Sequence, residues 1–362
     1  RQREHGDSTE KQALMMTNLS RKVLLALLVL SLAIDVLEGQ VGTALTTTKP
    51  RPAPARWRGL IGEYGPDSDI VYVLESGGKL AISFKKASPQ SLLEVSPGVF
   101  KFPATSSRAG QTAKFILGRE TGRATTVELD KTAYPRRQVE PGVGSNQLRV
   151  TPLRPVAELI KEALAAGPPK ETGDFRTPDL VELVKLDPTI RLEVRYATTD
   201  NLFGTVFYSQ PRAFLQRPAA EALVRVNKKL KPLGYGLLVH DAYRPWYVTK
   251  VFWDATPDDK KLFVADPSKG SRHNRGAAVD LTLYDLKTKK PIEMVSTYDE
   301  TTDRAHPDYP GGTSLQRWHR DLLRRVMEQE GFTVFEAEWW HFDFNDWQKY
   351  PISNQRFENI GK

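Results

Sequence analysis

Not one of the 362 residues is a cysteine. No disulfide can staple this chain, and no thiolate can bind a metal or attack a substrate. The fold must therefore rest on packed apolar cores, and any metal site on histidine and carboxylate. With 40% hydrophobic and 27% charged residues the composition is that of a globular protein, and the length favours two domains with extensions. The net charge of +8 is mildly basic, and part of it lies at the ends and in a Pro/Arg linker. No run of Lys and Arg interleaved with aromatics occurs, so no nucleic-acid partner is expected.

The chain begins at Arg1, and the first natural start is Met15 or Met16. Arg21 and Lys22 then precede an apolar run over 23–34, with small residues at Gly39, Gly42 and Ala44. This is the pattern of a signal peptide, and it predicts an exported, periplasmic or cell-envelope protein. The run falls short of the roughly 20 residues a membrane span needs, so no stable span is expected after cleavage; an uncleaved N-terminal anchor is the alternative. Residues 1–44 are thus assigned to extension and signal, and 45–58 to a Pro-rich linker, extended and solvated. Residues 59–137 read as a small antiparallel β domain, with strands at 69–75, 79–84, 98–102, 113–117 and 124–129 and a hairpin turn at 76–78. A linker with a short helix at 155–167 fills 138–174. The remainder, 175–362, mixes helices at 217–233, 245–255 and 313–330 with strands at 236–240, 277–284 and 336–344. In the last helix Leu315, Trp318, Leu322 and Val326 form an apolar stripe. Segregated helices beside a mixed, mostly antiparallel sheet make this an α+β domain.

Three short segments carry chemistry. In 271–280 (SRHNRGAAVD) strand alternation sends Val279, Leu281 and Leu283 to the core, and Ala278, Asp280 and Thr282 the other way. His273, in the loop leading in, can fold back towards Asp280, with Gly276 allowing the bend. In 338–341 (EWWH) Glu338 and His341 fall on opposite faces of a regular strand. Glu338 is therefore expected at a bend or strand end, leaning towards a metal held by His341. In 240–245 (HDAYRP) Arg244 follows a buried strand, where a fixed guanidinium suits an oxyanion; a structural salt bridge to Asp241 is the other reading. Two histidines and one aspartate leave a fourth zinc position open, as catalytic sites do. That points to a hydrolase binding one Zn2+ through His273, Asp280 and His341, with Glu338 as general base and Arg244 at the oxyanion. His240 and His306 lack partners at ligand spacing, and His319 falls on the polar side of its helix.

These segments, together with 195–203 (RYATTDNLF), 234–245 (GYGLLVHDAYRP) and 294–299 (MVSTYD), resemble the D-alanyl-D-alanine dipeptidases, the VanX-type zinc metallopeptidases of peptidase family M15. The resemblance covers roughly 189–350. It implies the D-Ala-D-Ala metallopeptidase, Hedgehog-like fold and hydrolysis of D-Ala-D-Ala or a related D-dipeptide in cell-wall metabolism. It also implies that Asp299 receives the substrate's free amine, with Tyr196 near the same end, and that Ser271 helps hold the substrate's carboxylate. Val295 stands where the family usually has Gly, and the β domain is not part of the family pattern. Two rivals remain: a carboxypeptidase or endopeptidase of the same zinc family acting on peptidoglycan stems, and a non-enzymatic wall-binding protein with a structural metal.

Overall fold

The computed structural model describes residues 48–84, 87–138 and 150–360; the signal-peptide reading lies outside them. Short runs of β-branched and aromatic residues broken by Gly, Pro and Ser build the first half. One antiparallel sheet holds β1 (Gly62–Tyr64), β2 (Val71–Ser76), β3 (Lys79–Phe84) and β4 (Gln90–Ser91). A second holds β5 (Leu93–Ser96), β6 (Val99–Lys101), β7 (Thr112–Leu117), β8 (Ala124–Leu129) and β9 (Thr132–Pro135). The β2–β3 tip falls at the expected hairpin, where Gly77 and Gly78 take φ values of 57° and 79°, as its two-residue turn requires. Tyr64, Val73 and Ile82 of the first sheet pack with Phe100, Phe115 and Val127 of the second.

Trp57 joins that core from a helical turn, α1 (Ala55–Arg58). The end of the 45–58 linker is therefore not solvated, because burying the indole folds residues Ala55–Arg58 onto the β module. Four expected strands lie within two residues of β2, β6, β7 and β8, and the fifth is β3.

The second half begins with α2 (Val156–Ala166), at the position expected for the short helix, packed on α5 (Trp246–Ala255) through Leu159 and Ala163. A two-stranded ribbon follows, β10 (Leu180–Glu182) with β12 (Phe214–Gln216), with α3 (Leu183–Leu186) between them. The main sheet has the order β11 (Arg191–Leu192), β13 (Tyr235–Asp241), β14 (Ala278–Asp285), β16 (Glu338–Phe344), β15 (Phe332–Phe335). Only the β11–β13 pair is parallel. Helices α4 (Arg217–Leu230) and α6 (Ser314–Glu328) supply Val226, Leu230, Leu323 and Met327 to a core shared with Leu237, Val239, Val279, Leu281 and Leu283. The α+β architecture with a mixed, mainly antiparallel sheet, preceded by an all-β part, is thus the one expected.

In α6 the buried stripe is rotated from the expected one. Leu322 and Val326 are buried, but so are His319 and Arg320, while Leu315 and Trp318 are only partly covered. His319 is not on a solvated face. Its Nε2 lies 2.9 Å from the Tyr235 hydroxyl, and that partner lowers the cost of burying the imidazole. Residues Arg51–Lys362 form one compact unit, in which Ile70, Tyr72, Leu74 and Ala81 share the core of the second half. Among the described residues no helix is long and apolar enough to cross a membrane.

Candidate metal centre

Asp280 and His341 sit directly opposite each other on the antiparallel strands β14 and β16, which brings their side chains within reach. His273 arrives from the 3-10 turn Arg272–Arg275 just before β14. The chain enters the strand through Gly276 at φ 65°, where a Cβ would stand 2.4 Å from a Leu180 methyl, so the bend depends on glycine. The result is a tight cluster. His341 Nδ1 lies 2.9 Å from Asp280 Oδ1 and 3.2 Å from His273 Nε2, and His273 Nε2 is 3.4 Å from Asp280 Oδ1. All three residues are buried, and their ligand atoms lie within 4.8 Å of one another.

The outer nitrogen of each imidazole is occupied. His273 Nδ1 faces the Ala242 carbonyl at 2.6 Å, and His341 Nε2 faces Asp343 Oδ1 at 3.1 Å. Asp343 is itself held by Arg272 at 2.6 Å, and Asp280 Oδ2 accepts the Tyr298 hydroxyl at 3.1 Å. This is how ligating histidines and carboxylates are oriented around a metal, and two nitrogens with one carboxylate oxygen suit a divalent ion such as zinc. The charge balance agrees. Burial pulls the His341 pKa down, yet Asp280 and Asp343 together push it up to about 10, so this pocket attracts positive charge. Asp280 is held well below its usual range despite its burial, by His273 and His341.

Glu338 is the first residue of β16. The β15 ladder pairs Val334 with Phe342 but its next residue, Phe335, with Glu338. Residues 339–341 therefore have no partner on β15, a larger interruption than a single-residue bulge, and Glu338 comes within 3.8 Å of His341 Nδ1. The expectation of a strand-end bend holds. The Glu338 carboxyl, 35% exposed, is raised above its usual pKa by burial, with His341 opposing and Asp280 adding to the rise.

Arg244 is 8% exposed. Its Nε and Nη2 donate to Asp241 Oδ2 at 2.9 and 2.7 Å, so the salt bridge considered from the sequence is present. The pair is anchored further: Asp241 Oδ1 accepts the Tyr208 hydroxyl at 2.7 Å, and the Arg244 amide donates to the His273 carbonyl at 3.1 Å. The guanidinium lies 5.2 Å from the Tyr196 ring centre. Tyr196 in turn directs its hydroxyl to Asp299 Oδ2 at 3.3 Å. Asp299 holds a left-handed φ of 59°, and burial together with Asp280 and Glu338 pushes its carboxyl well above the usual range. Ser271 caps the His273 turn by accepting the His273 amide at 3.2 Å. Val295 is buried in the core and does not join this network.

The structure thus brings Tyr196, Arg244 and Asp299 into one chain of contacts beside the triad. His240 and His306 do not join the candidate metal-binding group: His240 stacks on Tyr298 and His306 faces the Glu336 carbonyl. Sequence reasoning missed Asp343, Tyr298 and Tyr208. For Asp343 a signal existed, since i and i+2 on a strand share a face; Tyr298 and Tyr208 lie in loops whose course no local pattern fixes.

A family model described as D-ala-D-ala dipeptidase, Peptidase_M15, matches residues 176–361. The D-alanyl-D-alanine dipeptidase of Escherichia coli (strain K12) is 34% identical over 181 residues, 50% of this chain and 92% of the relative. Those of Enterococcus faecalis and Streptomyces coelicolor are each 33% identical, over 45% and 48% of this chain and 89% and 93% of their own lengths. The β module lies outside the family match. Through residues 176–361, more than half its length, this chain belongs to the Peptidase_M15 family.

Proposed function

We propose that this chain is an exported zinc dipeptidase that hydrolyses D-Ala-D-Ala or a related D-dipeptide of cell-wall metabolism. The observation that carries this reading is the convergence of His273, Asp280 and His341 within 4.8 Å, with Glu338 beside them and a fixed arginine nearby. Those three residues would hold one Zn2+, which when bound acts as a Lewis acid and makes water a nucleophile near neutral pH.

The chain's own groups do the rest. Glu338 takes a proton from the attacking water and delivers it to the leaving amine as the C–N bond breaks; its raised pKa suits a group that must both accept and return a proton. Arg244, held by Asp241, presents a guanidinium that stays charged to the developing oxyanion. Asp299 receives the free amine, and an arriving ammonium supplies the positive charge that this crowding of carboxylates favours. Tyr196 orients Asp299. Ser271 accepts from the His273 amide, which leaves its hydroxyl hydrogen for the substrate's carboxylate. Fixed groups for both termini select a dipeptide over a longer chain. Export rests on the pattern of residues 15–44 alone.

The test is metal analysis with a dipeptide panel. Zinc should be bound at one per chain, and D-Ala-D-Ala should be cleaved while N-acetyl-D-Ala-D-Ala is not. Glu338→Gln should keep the zinc and lose turnover by at least about a hundredfold. Equal cleavage of the blocked substrate would favour a stem-peptide peptidase, and no turnover by the metal-loaded parent would leave a wall-binding protein.

A further inference from the structure

A non-glycine residue in the left-handed region stays there only where its surroundings hold it, and Asp299 is such a residue. The segment around it is closed by Arg304, which donates to the Val295 carbonyl at 2.8 Å and pairs with Glu300 at 3.4 Å. Glu300 also accepts the Thr302 hydroxyl at 2.5 Å. The far end of this loop is gripped by the β module. Tyr309, 5% exposed, donates its hydroxyl to Glu63 of β1 at 2.8 Å, and its ring meets Tyr72 of β2 edge-on at 6.0 Å. Glu63 is equally buried and is fixed by Arg137 at 3.1 Å. One turn further on, Glu75 of β2 accepts the Ser314 amide at 2.7 Å through its carboxylate. Its amide donates to the Gly312 carbonyl at 3.1 Å, and its carbonyl accepts from Arg317 at 2.8 Å. The contacts of Glu63 and Tyr72 with Tyr309, and of Glu75 with Gly312, Ser314 and Arg317, join the family domain to residues outside the family match.

We propose that the β module is a positioning element for Asp299: the Glu63–Tyr309 hydrogen bond anchors the 294–309 segment and so sets how firmly the enzyme holds the free amine of its substrate. The inference rests on the dipeptidase reading above. Glu63 and Tyr309 touch no substrate and act through the loop. Removing the anchor should therefore weaken binding and leave the chemistry at the metal intact, a split between KM and kcat that general unfolding does not produce.

The experiment uses the full zinc-loaded chain and its Tyr309→Phe and Glu63→Gln variants, with steady-state kinetics on D-Ala-D-Ala, zinc content and amide hydrogen exchange over 294–314. Tyr309→Phe deletes only the hydroxyl. It should raise KM roughly fivefold with kcat within about twofold, keep its zinc, and speed exchange around Asp299. Glu63→Gln retains an acceptor for Tyr309 and should stay near the parent KM. Unchanged KM and exchange in Tyr309→Phe would overturn the proposal, as would a loss in which kcat and zinc fall together. If the parent does not cleave D-Ala-D-Ala, the dipeptidase reading fails, and the exchange rates alone still decide whether the module holds the segment.

Discussion

Asp343 stands one layer out from the cluster of His273, Asp280 and His341 that could hold a metal. It touches His341 Nε2 at 3.1 Å and is pinned by Arg272, so it fixes which nitrogen faces the cluster. Replacing it with Ala should leave the fold intact but lower zinc affinity by about 10- to 100-fold, read by dialysis against a graded chelator; unchanged affinity would remove Asp343 from the site. His273, Asp280, His341 and Glu338 were readable because a strand's alternation and one forced bend bring them together, and the same alternation offered Asp343. Tyr298 and Tyr208 reach Asp280 and Asp241 from loops, where spacing along the chain says little.

At the level of elements, α4 is tied to the sheet by a buried polar clip. Asp187, in the turn before β11, accepts the Thr189 amide and hydroxyl at 3.0 and 2.5 Å, the Asn227 side chain of α4 at 2.9 Å and Lys231 at 3.3 Å. Burial alone would raise its pKa, but these donors bring it down to about 2. The folded pKa thus lies below the unfolded value of about 4, so the clip's contribution is fully present above pH 4 and fades as pH falls towards 2. It amounts to about 2 kcal/mol. In urea titrations Asp187→Asn should be destabilised at pH 7 by about that amount, and the gap to the parent should narrow at pH 3; a gap independent of pH would refute the assignment. Runs such as 79–84 and 124–129 were legible as strands because apolar, aromatic or β-branched residues cluster in them between turn residues. β5 (LEVS) alternates, but over only four residues that stay exposed, and the α6 stripe turned because Tyr235 gives His319 a buried partner.

For the whole molecule, the strand-rich pattern of 59–137 was legible, but its union with the rest of the chain was not. Nothing local marks Ile70, Tyr72, Leu74 and Ala81 as belonging to a core whose other buried members come more than a hundred residues later. A chain beginning near residue 150 would uncover Tyr309 and the N-terminal end of α6. It should lose thermal stability relative to residues 51–362 and bind ANS; a truncated chain as stable as the parent would show the two halves to be independent. Trp57 places the start of the folded unit before residue 59, since a chain cut there would remove the indole from the first core.

The docking of β2 also has a consequence for biosynthesis. A ribosome delivers the strand bearing Tyr72 and Glu75 long before it delivers Tyr309 and Ser314, which receive them. Through most of translation that sheet face has no cover, and a nascent chain in this state is prone to stick to its neighbours. Chaperone dependence should therefore end only as α6 emerges, because only then does the early-made face meet its mate.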